Sequence, residues 1–269
     1  GAEVIVAPGY LQESAMVRAA TENPDVKFVF IDGYSLSDSD GNVLTNVAGI
    51  AFQEEQCGYF AGYAVVKEGF TKLGFSGGGG GTNPACCRYG YGYIQGANAA
   101  AAELGVQVEV NFSWQYGSSY SASNELQSMI NGWYTTGTEV VFACGGSMFS
   151  SIAAAAAAND GAVVGVDVDQ SSESDTVVTS AMKGLAEAAQ YGIGKYYDND
   201  WDSIGGSNIS LGVNDDAVGL PTDTWSMENF TLDDYDALLS AVKSGDLTVD
   251  ADYETGMNTD WSNVTVNII

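Results

Sequence analysis

The chain has 269 residues, 45% of them hydrophobic, with 34 glycines and only 4 prolines, so it reads as globular and long enough for two lobes, each with its own core. Eight Lys and Arg against 35 Asp and Glu leave a formal charge of -27, a field that repels phosphate backbones and excludes nucleic acid as a partner. No histidine is present, which removes Ser-His-Asp and Cys-His catalysis along with imidazole metal sites.

Strand and helix patterns alternate along the chain, which argues for parallel sheets built from βαβ units. Glu3 to Ala7 reads as a strand, Leu11 to Asn23 as a helix and Val26 to Ile31 as a second strand, with a further strand ending at Ile50 to Phe52. Glu54 to Glu68 has helical spacing, with Tyr59, Phe60, Tyr63, Ala64 and Val66 apolar. Gly69 to Thr71 reads as a hinge, after which a second series opens with the strand Lys72 to Ser76. It continues through helix Arg88 to Leu104, strand Val106 to Phe112, helix Ser121 to Thr135, strand Glu139 to Ala143, helix Phe149 to Asn159 and strand Val163 to Val168. After a strand from Val177 to Lys183 come a helix to Tyr197, a strand near Ile209 to Val213, and a helix from Leu232 to Val242 capped by Thr231.

The run Gly77 to Gly81 lacks a following Gly-Lys-Ser/Thr and is not a GxGxxG fingerprint, so it reads as a flexible loop at a strand end rather than a phosphate cradle. Cys57, Cys86, Cys87 and Cys144 have no CxxC spacing. They read as buried thiols, or as a bridge from Cys144 to Cys86 or Cys87, since four cysteines allow three pairings. No metal site is expected. No run of eighteen or more apolar residues is present and the first residues do not read as a signal peptide, so a soluble chain is expected.

The chemistry concentrates at two strand ends. Val164 to Gln170 is an apolar strand closing on Asp167 and Asp169, and Val177 to Lys183 is another that delivers a lysine. Open α/β sheets bind ligands at the carboxyl ends of their strands. A carboxylate accepts from a vicinal diol while an ammonium donates to the same hydroxyls, which suits a ribose or another sugar. Asp167 and Asp169 alternate along the strand and cannot both face one side, so at most one is a ligand. Glu54 and Glu55 open a helix, where the dipole alone favours acids. Arg88 near a helix start opposes that dipole and points to a buried acidic partner. Tyr89, Tyr91 and Tyr93 read as packing residues, because alternate positions of a helix do not share a face.

Several phrases together resemble one family. They are Asn23-Pro-Asp-Val-Lys-Phe-Val-Phe-Ile-Asp32, the run from Phe52 to Tyr63, Arg88-Tyr-Gly-Tyr-Gly-Tyr-Ile-Gln-Gly96, Phe142-Ala-Cys-Gly-Gly146, Gly165 to Gln170, and Thr179-Ser-Ala-Met-Lys183. Their order across nearly the whole chain is similar to that of the basic membrane protein family, the substrate-binding lipoproteins of ABC transporters that include purine-nucleoside receptors. The resemblance implies a type I periplasmic-binding-protein fold, α/β, with two Rossmann-like lobes on parallel sheets joined by a hinge and closing on a ligand. The expected division is residues 1–70 plus 184–207 for the first lobe and 71–183 plus 208–269 for the second. It also implies about sixty family residues ahead of the point matched by Gly1, so the first lobe is expected to be N-terminally incomplete, through truncation or processing.

In family terms Asp167 and Lys183 look like ligands of the ribose hydroxyls, and Gly146 like a backbone contact beside the sugar. Tyr120 lies where the family stacks an aromatic on the base, and Glu54 near its acidic contact to base nitrogens. Asp169 is kept as a further candidate. The implied function is capture of a nucleoside, a purine one foremost, outside the cell and its delivery to an ABC-transporter permease. The protein is expected to be a monomer without cofactor or catalysis, on a membrane-anchored lipoprotein whose signal and anchor are not in this chain. The alternatives are a receptor for a sugar or other small metabolite, in transport or signalling, and a hydrolase using Asp167 and Glu54. The last is disfavoured because those carboxylates are expected on different lobes.

Overall fold

The computed structural model describes residues 1–257 and 259–269. In chain order its elements are β1 (Val4–Pro8), α1 (Glu13–Glu22), β2 (Lys27–Ile31), β3 (Val47–Phe52), α2 (Glu54–Glu68), β4 (Lys72–Gly77), α3 (Pro84–Leu104), β5 (Val108–Ser113), α4 (Asn124–Thr135) and β6 (Val140–Cys144). There follow α5 (Met148–Ala157), β7 (Ala162–Asp167), β8 (Val177–Lys183), α6 (Leu185–Tyr197), β9 (Asn208–Leu211), β10 (Val218–Gly219), α7 (Leu232–Ser244), α8 (Tyr253–Gly256) and β11 (Val264–Ile268). The chain divides into two compact units, residues 1–53 with 184–217, and residues 54–183 with 218–269.

The first unit holds a parallel sheet in the order β1-β2-β3-β9. β2 and β3 are near-continuous apolar runs with buried side chains, as parallel strands covered on both faces require. Met16 and Ala20 of α1 pack on Ala7, Phe28, Phe30 and Val47. The buried Asn46 amide lies within hydrogen-bonding distance of the carbonyls of Ala20, Asn23 and Val26, which satisfies the frayed end of α1.

The second unit holds seven strands in the order β10-β8-β7-β6-β4-β5-β11, parallel except for β10 against β8. One layer of its core is formed by α4 and α5, where Leu126, Ile130, Trp133, Phe149 and Ile152 cover Val141, Ala143 and Val163. α3 begins at Pro84, four residues before the periodicity suggested, because the Asn83 side chain caps it at Cys86 N–H and proline is tolerated at the first helical position.

The observed division differs from the expected one at three places. α2 belongs to the second unit, β9 belongs to the first, and Gly69 to Thr71 lies within the second rather than where the chain passes between units. The reason for α2 is steric. Gly58 and Gly62 on α2 press on the backbone of Tyr89 and Tyr93, while Gly92 and Gly96 on α3 press on that of Glu55 and Tyr59. Four glycines at i, i+4 spacing thus let the two helices approach backbone to backbone, closer than side chains would permit.

Candidate ligand-binding site

The strand order of the second sheet reverses at β4, which has β5 on one side and β6 on the other. Such a switch point leaves a crevice at the carboxyl ends of the strands. Here β4 ends at Gly77 and β6 at Cys144, and Gly78 N–H donates to the Cys144 carbonyl at 2.8 Å. The Tyr120 ring lies over this junction: a Cβ on Gly78 or Gly145 would run into it. Trp114 similarly occupies the space that a side chain on Gly77 would need. Gly77, Gly78, Gly79 and Gly81 are therefore packed against two aromatic rings, which accounts for these glycines without a phosphate.

Tyr120 is half-buried and sits at φ 57°, a left-handed conformation that costs a tyrosine of order 1 kcal/mol. It is held there by Ser147, whose hydroxyl donates to the Tyr120 carbonyl at 3.1 Å, and by the turn bond from Tyr120 N–H to the Gly117 carbonyl at 3.0 Å. Gly146, exposed and at φ 47°, lies against the Tyr120 backbone. Tyr120 and Gly146 are thus brought together from loops far apart in sequence.

Beside this junction lies a cluster of opposite charges. β7 and β8 pair in register with Asp167 opposite Met182, so Asp167 and the next residue of β8, Lys183, finish the two strands as neighbours. Lys183 Nζ lies 3.4 Å from Asp167 Oδ1 and 3.6 Å from Glu54 Oε1. The other Glu54 oxygen, Oε2, accepts from Arg88, at 2.7 Å from Nε and 2.6 Å from one terminal nitrogen. Tyr89 lies beneath: its ring is 5.3 Å from Lys183 Nζ, and its hydroxyl is 3.3 Å from Asp167 Oδ1 and 3.2 Å from the Ala181 carbonyl. Glu54 and Lys183 are almost fully buried, with side-chain exposures of 1% and 4%, whereas Asp167 keeps 37%. Asp167 is the member of this chain of contacts most open to a ligand.

Glu55 completes the cluster from below. Its side chain is buried, Oε2 makes no hydrogen bond, and Arg88 Nε stays 3.6 Å away. Burial pushes the Glu55 carboxyl up to about 7, with the charge of Glu54 adding to the effect and that of Arg88 opposing it.

The sequence candidates separate accordingly. Asp167 and Lys183 meet each other, and Tyr120 meets Gly146. Glu54 is in the same unit as Asp167, not on a different lobe, and its carboxylate is committed to Arg88 and Lys183 rather than open to a base. Asp169 faces a turn, accepting from Ser171 N–H at 3.0 Å and from the Thr224 hydroxyl at 2.7 Å. Partial burial works against ionisation there, but these hydrogen bonds outweigh it and hold the carboxyl below the usual range. Tyr89 packs as the sequence reading expected, 1% exposed with its ring edge-on to Phe142, but its hydroxyl also reaches Asp167, which that reading did not show. The signal was its place one residue after Arg88, since the same helix turn that reaches Glu54 also faces the end of β8. Among the described residues no three His, Cys, Asp or Glu side chains converge as a metal-binding set.

Residues 1–245 match the family described as ABC transporter substrate-binding protein, PnrA-like. The chain belongs to this family. Basic membrane protein B of Borrelia garinii subsp. bavariensis is 31% identical over 224 residues, 82% of this chain and 63% of that protein. The ABC transporter nucleoside-binding protein BmpA of Lactococcus lactis subsp. cremoris is 25% identical over 247 residues, 85% of this chain and 66% of that protein. The chain thus spans somewhat under two thirds of the length of the first of these relatives. Among solved structures, the solute-binding protein of an ABC transporter system from Aeropyrum pernix K1 superposes with a TM-score of 0.71 at 18% identity, covering 95% of this chain and 79% of that one. The fold is the type I periplasmic-binding-protein fold that the family resemblance implied, and the family is one of substrate-binding proteins.

Proposed function

We propose that this chain is the binding portion of an extracytoplasmic, membrane-anchored solute receptor of an ABC transporter, taking a nucleoside, with a purine as the favoured base. The observation that carries this reading is the half-exposed Asp167 carboxylate, backed by the buried Lys183 ammonium, beside the Tyr120 ring at the sheet's switch point. Asp167 accepts from the ribose diol and Lys183 donates to it; the Gly146 backbone borders the sugar; Tyr120 stacks on the base. Stacking of that kind is worth roughly 1 to 3 kcal/mol per base.

Glu54 has a different part in this scheme from the one its family position suggests. It holds Lys183 by charge and is itself held by Arg88, so it orients the ammonium without touching the ligand. The strongly negative chain disfavours a 5'-phosphate, which makes the neutral nucleoside the better ligand than its nucleotide. Delivery to a permease follows from the family reading and is part of the same proposal.

Isothermal titration of the purified protein against adenosine, guanosine, inosine, uridine and ribose tests the reading. Heat with purine nucleosides and none with ribose supports it. No heat with any nucleoside removes the ligand and leaves the fold, and release of free base during incubation would replace a receptor by a hydrolase.

A further inference from the structure

Cys86 and Cys144 play no part in the proposed binding scheme, yet they are placed as a pair directly below it. Cys86 lies in the first turn of α3 and Cys144 ends β6 at the switch point. Both are buried and free, and each thiol shifts the ionisation of the other. The Cys86 thiol also lies 3.9 Å from the Cys144 carbonyl and 4.0 Å from the Tyr120 hydroxyl. Cys87, by contrast, turns to the Gly81 carbonyl at 3.4 Å, and Cys57 to the Glu54 carbonyl at 3.5 Å. Neither of these is aimed at another thiol.

The two thiols of the pair differ in character. Hydrogen bonding from Cys144 lowers the Cys86 thiol, with the Lys183 charge acting in the same direction, while burial pushes Cys144 well up. A thiol made easier to ionise, beside one that burial keeps protonated, suits the attacking and resolving parts of thiol–disulfide exchange.

We propose that Cys86 and Cys144 are a redox-responsive pair that closes to a reversible disulfide, pinning the start of α3 to the end of β6 beneath Tyr120. The oxidant is a small-molecule disulfide. The Cys86 thiolate attacks one of its sulfurs, forming a mixed disulfide and expelling one thiolate. The Cys144 thiol then gives up its proton and attacks the Cys86 sulfur, expelling the second. Two protein thiols are oxidised by two electrons in all, and the small disulfide is reduced to two thiols that take up the protons. The bond would close a loop across 58 positions, long enough to raise the melting temperature by constraining the unfolded chain. It would also remove the thiol that faces the Tyr120 hydroxyl. An effect on base stacking rests on the nucleoside reading, whereas the cross-link does not.

The test is incubation of the native protein with hydroxyethyl disulfide, acid quench, alkylation under denaturing conditions and peptide mass spectrometry. Expected are a Cys86–Cys144 cross-linked peptide, alkylated Cys57 and Cys87, and full reversal by dithiothreitol. Cys144→Ser should trap the small thiol on Cys86, Cys86→Ser should give no adduct at Cys144, and Cys87→Ser should behave as the parent. Four alkylated thiols after exposure, or a Cys86–Cys87 cross-link, overturn the proposal. Since the readout is mass, its failure is separable from a failure to bind nucleosides.

Discussion

Replacing Arg88 by methionine tests whether the charge cluster is a connected unit. The substitution keeps most of the side-chain volume but deletes the two short contacts to Glu54, whose side chain is 1% exposed. Glu54 would then be left buried with Lys183 at 3.6 Å as its remaining charged neighbour in the cluster. Breaking one half of a buried pair costs about 3 to 5 kcal/mol, because the remaining charge stays in a low-dielectric site. Arg88 retains 16% exposure, so the lower end, about 3 kcal/mol, is the expected loss. Glu54→Leu alone should cost a similar amount, since it takes the shortest acidic contact from Arg88 and leaves Lys183 with the more exposed Asp167. The double substitution should cost much less than the sum, giving a coupling of roughly 2 kcal/mol or more. Urea unfolding read by tryptophan fluorescence suits the assay, since Trp114, Trp133, Trp225 and Trp261 all lie in the unit that carries the cluster. Single losses below about 1 kcal/mol that simply add would show that the pair behaves as an exposed one, and the positioning of Lys183 by Glu54 would have to be given up.

Asp167→Ala should weaken ribonucleoside binding by about 1.5 to 3 kcal/mol while leaving the free base unchanged, as titration calorimetry with both ligands would reveal; equal losses would mean that Asp167 does not read the sugar. Tyr120→Ala should weaken nucleoside and free base together by roughly 1 to 3 kcal/mol, and an unchanged affinity for both would remove the ring from the site. Glu55 keeps its proton in the folded protein up to about 7 but releases it near 4.5 when unfolded, so the folded state binds more protons between those values and stability falls as pH rises across them. Glu55→Gln should abolish that fall, of about 3 kcal/mol, in unfolding curves taken on either side of the window; a slope that survives the substitution belongs to other groups. The formal charge of -27 predicts that the melting temperature climbs as salt is raised from about 0.1 to 1 M, over which the screening length shrinks from roughly 10 to 3 Å. A flat response would mean that the surface carboxylates do not repel one another appreciably.

What the sequence made legible was local. Alternating strands and helices, and the charges that close β7 and β8, follow from period and position alone, and Arg88 against the helix dipole announced an acidic partner before that partner could be named. What it concealed depended on distant pairing. The membership of α2 in the second unit is written in Gly58, Gly62, Gly92 and Gly96, but each glycine pair acquires meaning only when the other helix is laid against it. β9 reads as a strand from either side, and only its hydrogen bonds to β3 assign it. β11, which pairs with β5 at the edge of its sheet, lies beyond the last element that the strand and helix pattern marked, and only that pairing assigns it. The pairing of Glu54 was hidden for the same reason: a carboxylate at a helix start looks available until the cation that contacts it arrives from another helix.

The distribution of positive charge ties these observations together. The chain has eight basic side chains among 35 acids. Lys67 with Glu103 and Lys195 with Asp200 form pairs whose members are a quarter to a half exposed, where water and salt take most of the attraction. Arg88 and Lys183 lie instead at 16% and 4% exposure, each within reach of Glu54. Screening by salt therefore acts on one population and spares the other. Surface repulsion weakens while the buried contacts, out of reach of mobile ions, keep their strength. A protein whose outer charge is almost uniformly negative can in this way hold one ammonium at a fixed position, independent of the ionic conditions around it, beside the single carboxylate of the cluster that a ligand can touch.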